Sequence, residues 1–235
     1  MTRNETIFYF TLGTLNILAG IIGNEWLGYL TKPLLMLTLG VFYYQKTKAA
    51  LTLQDKLMLV ALLFSCLGDS FLMFQRQNSQ FFLLGLGAFL VAQLTYCIIF
   101  SKSGQAQYLL RFPFVVYAAT LFWLLKPYIP AEFFVPVLAY TFALTWMGSQ
   151  AVERQTNPKS YRLVLIGAIL FIISDSFIAV NKFAYEIPQS GVWIIATYIA
   201  AQYLIVAGML AGKKNVAVQN RVRTPPPTPP QKGGE

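Results

Sequence analysis

Apolar runs at 7–23, 26–44, 57–74, 81–100, 112–125, 133–147, 163–183 and 192–210 are separated by short polar breaks. A membrane-crossing helix takes about 20 apolar residues, with a range of roughly 17–25. Backbone groups in hydrocarbon must be satisfied within the segment, so helices are the natural reading. The pattern therefore predicts an all-α, polytopic membrane helix bundle of eight transmembrane helices. Runs five and six are short and are expected to extend into their flanks. The first run follows Arg3 and lacks a small-x-small cleavage pattern, so it reads as a span rather than a removable leader. The membrane domain is assigned to 1–212, and the basic, Pro-rich stretch 213–235 to a disordered cytoplasmic tail.

Composition supports this solvent assignment. Of the 235 residues, 56% are hydrophobic and only 11% charged, where a soluble domain carries about 25%. The net charge of +9 sits between the apolar runs and not on a basic–aromatic surface, so no nucleic-acid partner is expected. With eight spans, 14 of the 18 Lys and Arg residues fall on the side of the two termini. Lys32, Arg76, Lys126 and Lys182 fall on the other. That bias puts both termini in the cytoplasm. There is no histidine, which removes Ser-His-Asp and Cys-His nucleophiles and His-ligated zinc. Cys66 and Cys97 lie inside apolar runs and read as buried free thiols with packing roles.

Two carboxylates do not fit a lipid environment. Asp69 lies in Gly68-Asp69-Ser70-Phe71-Leu72, and Asp175 in Ser174-Asp175-Ser176-Phe177-Ile178. An Asp at mid-membrane costs roughly 2.5–3.5 kcal/mol on insertion scales, so each marks a candidate functional position. Each stands 12 residues into its run, about 18 Å at helical rise. The similarity continues: Gln93 and Gln202 follow at comparable spacing, and Pro33-Leu34-Leu35 resembles Pro136-Val137-Leu138. These matches suggest a 4+4 parallel repeat, whose pseudo-two-fold axis along the membrane normal would bring the aspartates to the centre. Chance similarity between apolar stretches is the alternative. Lys182 lies seven residues past Asp175 on the same helical stripe. Lys32, Gln93, Tyr96, Ser174, Asn181, Tyr198 and Gln202 complete a candidate polar pocket open to the non-cytoplasmic half. The competing readings are snorkelling for the lysines, interhelical hydrogen bonds for the glutamines, packing or an interfacial belt for the tyrosines, and structural pairing with Lys for the aspartates.

Taken together, Lys32-Pro33-Leu34, Gly68-Asp69, Gln93 with Tyr96, Gly167-Ala168 through Phe171 to Ser174-Asp175, Lys182-Phe183 and Ala201-Gln202-Tyr203 resemble the lysoplasmalogenase family of integral-membrane hydrolases. The resemblance runs from the second span to the eighth. It implies hydrolysis of the vinyl ether bond of a lysoplasmalogen, giving a fatty aldehyde and a glycerophosphoethanolamine or glycerophosphocholine. It makes Asp69 and Asp175 the catalytic pair, one the acid and the other the base or electrostatic partner. Lys32 or Lys182 would hold the substrate phosphate. Members of the family often carry His where this chain has Gln93, and an amide cannot titrate. The implied partners are a lysophospholipid substrate and membrane lipids.

The chemistry suits the residues. A vinyl ether hydrolyses by protonation at carbon, and water captures the resulting oxocarbenium ion. That needs one carboxylic acid and one anion, roles that two neighbouring carboxyls divide between them. No cofactor is called for. No metal is expected either, because a hard cation would want more oxygen ligands than two carboxylates. The rival class is a proton-coupled transporter using the same aspartates. A bacterial inner membrane is the preferred location, although an endoplasmic reticulum membrane also fits.

Overall fold

The computed structural model describes residues 1–101 and 107–223, with side chains as far as 213. Among these, every long element is helical: α1 Arg3–Ile22, α2 Glu25–Thr47, α3 Leu53–Met73, α4 Ser79–Ser101, α5 Tyr108–Leu125, α6 Ala131–Val152, α7 Pro158–Phe183 and α8 Ser190–Arg223. Two 3₁₀ turns, Lys48–Ala50 and Lys126–Tyr128, follow α2 and α5. The short fifth and sixth runs do lengthen into their flanks. Helix α8 continues past residue 213, and the Pro-rich segment at 225–230 lies outside the described residues.

The polar breaks stop and start helices by identifiable chemistry. Thr2 and Glu5 form a capping box on α1, and Thr52 and Asp55 form one on α3. Each box satisfies backbone donors that the first turn leaves free. Gly23, at φ 70°, ends α1 in the left-handed region, which glycine enters without penalty. Asn24 then caps α2 through Leu27 N, at 3.0 Å. Asn157 caps α7 ahead of Pro158, whose missing N–H would be unpaired there in any case.

Seven of the eight long helices are long and apolar enough to cross a membrane. The exception is α2, whose apolar sequence is interrupted by Glu25, Lys32 and Lys46. The structure pairs two of these three within the bundle. Lys32 pairs with Asp69, and Lys46, partly exposed, pairs with Glu5 at 2.8 Å. Thr31 accepts a hydrogen bond from Asn16 Nδ2 at 2.8 Å, and Tyr43 donates to Asp55 at 2.8 Å. Packed between α1 and α3, α2 turns Thr31, Lys32 and Tyr43 towards protein. Its sequence hydropathy therefore understates its fit to the bundle.

Consecutive helices pack side by side except α4 and α5, with α7·α8 and α3·α4 the most extensive contacts. The α7–α8 seam depends on small residues. A Cβ on Gly167 would stand 2.9 Å from Ala201 O and 3.0 Å from Ile205 N, and one on Gly208 would stand 3.0 Å from Val164 N. Such close backbone approach is how helices associate where lipid supplies no hydrophobic drive. The chain closes with α8 against α1 and α2, and α4 against α6. Both cysteines are free and buried. Their thiols face Pro33 O and Ala143 O, consistent with packing roles.

The end of the bundle at which α1 begins is tied by ion pairs on buried carboxylates. Asp55 is fully buried and accepts from Tyr43, from Thr52 and from Lys213 of α8. Glu153, just past α6, receives the Arg111 fork at 2.6 and 2.8 Å and the Gln107 amide at 2.8 Å. The Arg111 guanidinium and the Gln107 N–H hold the Glu153 carboxyl below the usual carboxylate range. A depressed folded value gives stability that is present above the unfolded pKa and is lost as pH falls through the folded one. Glu153→Gln is therefore expected to lower the melting temperature at pH 7, by a margin on the order of 1 kcal/mol because Arg111 is partly exposed. Melting curves of the two proteins should converge as the pH is lowered through the carboxylate range.

Candidate active site

Asp69 lies on α3 and is 3% exposed. Its Oδ1 stands 3.6 Å from Lys32 Nζ of α2, and its Oδ2 has no hydrogen-bond partner. The Tyr198 hydroxyl approaches it from α8. Behind Tyr198 a buried chain continues: Gln202 Nε2 donates to Tyr198 OH at 3.3 Å and to Ser65 Oγ at 3.1 Å, and Tyr96 OH donates to Gln202 Oε1 at 2.8 Å. A buried amide with each atom bonded orients its neighbours rigidly. The Asp69 side is thus an ion pair backed by polar groups from α3, α4 and α8.

Asp175 on α7 is 8% exposed and, among the described residues, has no cation at ion-pair distance. It accepts a hydrogen bond from Tyr140 OH of α6 at 2.5 Å. The Gln93 side chain approaches Tyr140 from α4. Gln93 is fully buried, yet neither of its amide atoms has a hydrogen-bond partner.

The single polar pocket expected from the sequence is divided in two. Asp175 and Tyr140 line an apolar slot between α4, α5, α6 and α7, of about 870 Å³ with its open side included. Its walls include Phe82, Phe89, Phe122 and Leu144. On α7 the slot runs from Ile172 to Phe183, about 16 Å at helical rise. The second cavity is a polar basin at the end of the bundle opposite the termini, with Lys32, Arg76, Asn181, Lys182 and Glu186 around it. Leu72 and Ile178 line both and so form the partition. Asp69 lies one helical turn below Leu72, beneath Lys32. A Cβ on the neighbouring Gly68 would stand 2.5 Å from the Phe89 ring, so Phe89 separates this part of α3 from the slot.

The remaining candidates fall as follows. Lys182 lines the basin with its ammonium 5.0 Å over the Phe82 ring, and is not paired with Asp175. Asn181 lines the basin and accepts from Ile187 N at 2.9 Å, fixing the turn after α7. Ser174 donates to Ile194 O at 3.0 Å and joins α7 to α8. Tyr96, Tyr198 and Gln202 belong to the buried chain behind Asp69. The groups that sequence reasoning missed are Tyr140, Ser65, Leu72 and Ile178. Tyr140 carried a usable signal, being a hydroxyl mid-way along an otherwise apolar span. Leu72 and Ile178 carried none, because a partition is defined only by what lies on each side. Among the described residues no group of three or more Cys, Asp or Glu side chains is arranged to hold a metal ion.

The YhhN family model matches residues 27–209, which spans both aspartates and both cavities. The chain belongs to the YhhN family. Its relatives include the lysoplasmalogenase TMEM86A of Bos taurus and that of Homo sapiens, each 32% identical over 67% of this chain and 66% of the relative. The chain thus spans just under two thirds of the length of these TMEM86A relatives. Lysoplasmalogenase TMEM86B of Sus scrofa is 32% identical over 77% of this chain and 74% of its own length. No solved structure matches. These relatives bear out the resemblance to lysoplasmalogenases read from the residues. With its apolar helices, this YhhN chain is an integral, multi-pass membrane protein.

Proposed function

We propose that this protein hydrolyses the vinyl ether bond of lysoplasmalogens, with Asp175 as the acid and Asp69 as the carboxylate partner. The observation that carries the reading is the contrast between the two carboxyls. Asp69 has a counter-cation at the foot of a polar basin. Asp175 has a tyrosine and an apolar slot. Burying a lone carboxylate without a cation is costly, so the neutral acid suits Asp175 and the anion suits Asp69. An apolar slot beside a polar basin also matches a one-chain lipid.

The steps balance. Asp175 gives its proton to the vinyl carbon remote from oxygen, leaving an oxocarbenium ion next to the ether oxygen. The Asp69 carboxylate stabilises that cation electrostatically. Water adds to the cationic carbon and gives a proton to Asp69. The hemiacetal then collapses: Asp69 protonates the departing glycerol oxygen, and Asp175 takes the hydroxyl proton. The aldehyde is released and both carboxyls return to their starting states. Tyr140 orients Asp175 throughout.

The same reading takes the bundle as two four-helix units with both termini in the cytoplasm. The packing of α4 on α6 and of α8 on α2 supports the repeat. So does the crossed arrangement of the amides, Gln202 on the Asp69 side and Gln93 on the Asp175 side. The Lys and Arg bias supports the orientation. The test is aldehyde release from detergent-purified protein given a lysoplasmalogen. Stoichiometric aldehyde is expected; its absence, with proton-coupled uptake in proteoliposomes instead, would favour a transporter.

A further inference from the structure

We propose that the basin opposite the termini is a zwitterionic headgroup site, in which Arg76 and Lys182 hold a phosphodiester and Glu186 takes an ammonium group. The proposal rests on the reading of the substrate as a lysophospholipid and adds the residues that would select its head. Four observations lead to it.

First, the basin is an open recess between the ends of α2, α3, α7 and α8, about 1320 Å³ with its open side included. It is far too large for a single interfacial side chain to fill. Second, its charges are uncommitted. Of its three cations only Lys32 has a carboxylate at ion-pair distance, and that is Asp69 within the bundle. Arg76, Lys182 and Glu186 form no ion pair among the described residues. Two cations and one anion without ion-pair partners around one basin complement a phosphate followed by an ammonium group. The planar fork of Arg76 is the group best suited to phosphate oxygens. Third, the basin and the apolar slot share Leu72 and Ile178. A head in the basin and a chain in the slot would cross that partition one helical turn from each of the two carboxyls. Fourth, Asn181 and Gln75 line the basin as well, adding neutral polar groups for a glycerol hydroxyl.

Lys182 is constrained where it stands. Its contact with Phe82 holds the ammonium at the rim, because a cation over an aromatic face loses less hydration than one taken into the core. Arg76 lies in the turn that follows α3, three residues past its last residue and seven past Asp69. The proposed phosphate anchor therefore follows directly on the helix that carries the proposed carboxylate partner.

The experiment measures binding rather than turnover. It titrates the purified protein by calorimetry with saturated ether analogues, which have no vinyl bond to cleave. The probes are a 1-O-alkyl lysophosphoethanolamine, the matching phosphocholine, the matching phosphate monoester and the bare 1-O-alkylglycerol. Arg76→Gln is expected to weaken the three phosphate-bearing ligands about ten-fold, the loss of one charge-assisted hydrogen bond, and to leave alkylglycerol unchanged. Glu186→Gln is expected to weaken the two amine-bearing ligands only. Glu186→Lys should reverse the order, with the phosphate monoester binding best. Equal effects of Glu186→Gln on ligands with and without an amine, or unchanged binding in all three variants, would overturn the site. Free glycerophosphoethanolamine serves as a fifth probe; binding of it that matches the lipid analogue would show that the head alone carries the affinity. Lipid binding by the pattern above, without aldehyde release, would sink the hydrolase reading and keep the headgroup site. Normal aldehyde release with no headgroup pattern would do the reverse.

Discussion

Asp175→Asn in the purified protein is expected to lower aldehyde release by a factor of about 10²–10⁴, the range that removal of a general acid gives, if the proposed hydrolysis is the activity. The change is close to isosteric, and the amide oxygen still accepts from Tyr140, so the bundle should remain folded. Asp69→Asn acts on the same step from the other side: it leaves Lys32 beside the reaction without the anion that balances it. Its loss should appear in kcat, because in the proposed mechanism the group stabilises the developing cation and not the ground-state ether. The double variant should be scarcely slower than either single one, as expected of residues that act as a unit. The measurement is initial aldehyde rate against protein that runs as a single species on size exclusion. Normal turnover in either single variant would sink the two-carboxylate mechanism.

Gly167→Leu gives a second large effect, on the fold. The site for the new side chain is occupied by backbone, with Ala201 O 2.9 Å and Ile205 N 3.0 Å from the first added carbon. Overpacking against movable side chains costs about 1–3 kcal/mol; here two helices must part, and the cost should exceed that. The expected outcome is loss of the monodisperse species in detergent. Gly40→Leu is the control, since nothing lies within 4 Å of its added carbon, and it should behave as the parent. Equal behaviour of the two variants would mean that the α7–α8 seam does not depend on that close approach.

The all-helical architecture and its breaks were legible because runs of apolar residues have one low-energy solution in hydrocarbon. Asp69 and Asp175 were legible for the same reason, as charges in the wrong solvent. Hydropathy was least informative for α2. Lys32 and Lys46 look like interruptions in sequence, but they face Asp69 and Glu5 in space. The surroundings of each aspartate were also hidden. Nothing in the spacing says that Tyr140 rather than Lys182 reaches Asp175, because those helices meet only through tertiary packing. Gln93 and Tyr96, three residues apart on α4, read as one stripe. In the fold they serve different acids, Gln93 beside Tyr140 and Tyr96 on Gln202. Helical periodicity fixes which residues share a face, but not which neighbours divide that face.

One helix stands apart in how it is held. In α5 only Leu125 is buried, and Phe112, Val115, Val116, Trp123 and Leu124 are exposed. Arg111 fastens one end to Glu153, and Tyr117 meets Ser176 beside Asp175 at 3.0 Å. In water, lifting such a helix would be resisted by every apolar face it uncovered. In a bilayer those faces pass from protein to acyl chains of similar polarity, so that resistance largely disappears. Along most of its length α5 is restrained by dispersion and one hydroxyl pair, and pinned firmly at one end. Of the slot's walls it is the one whose outward displacement would break the least protein packing, towards the lipid phase that would carry the proposed substrate and product.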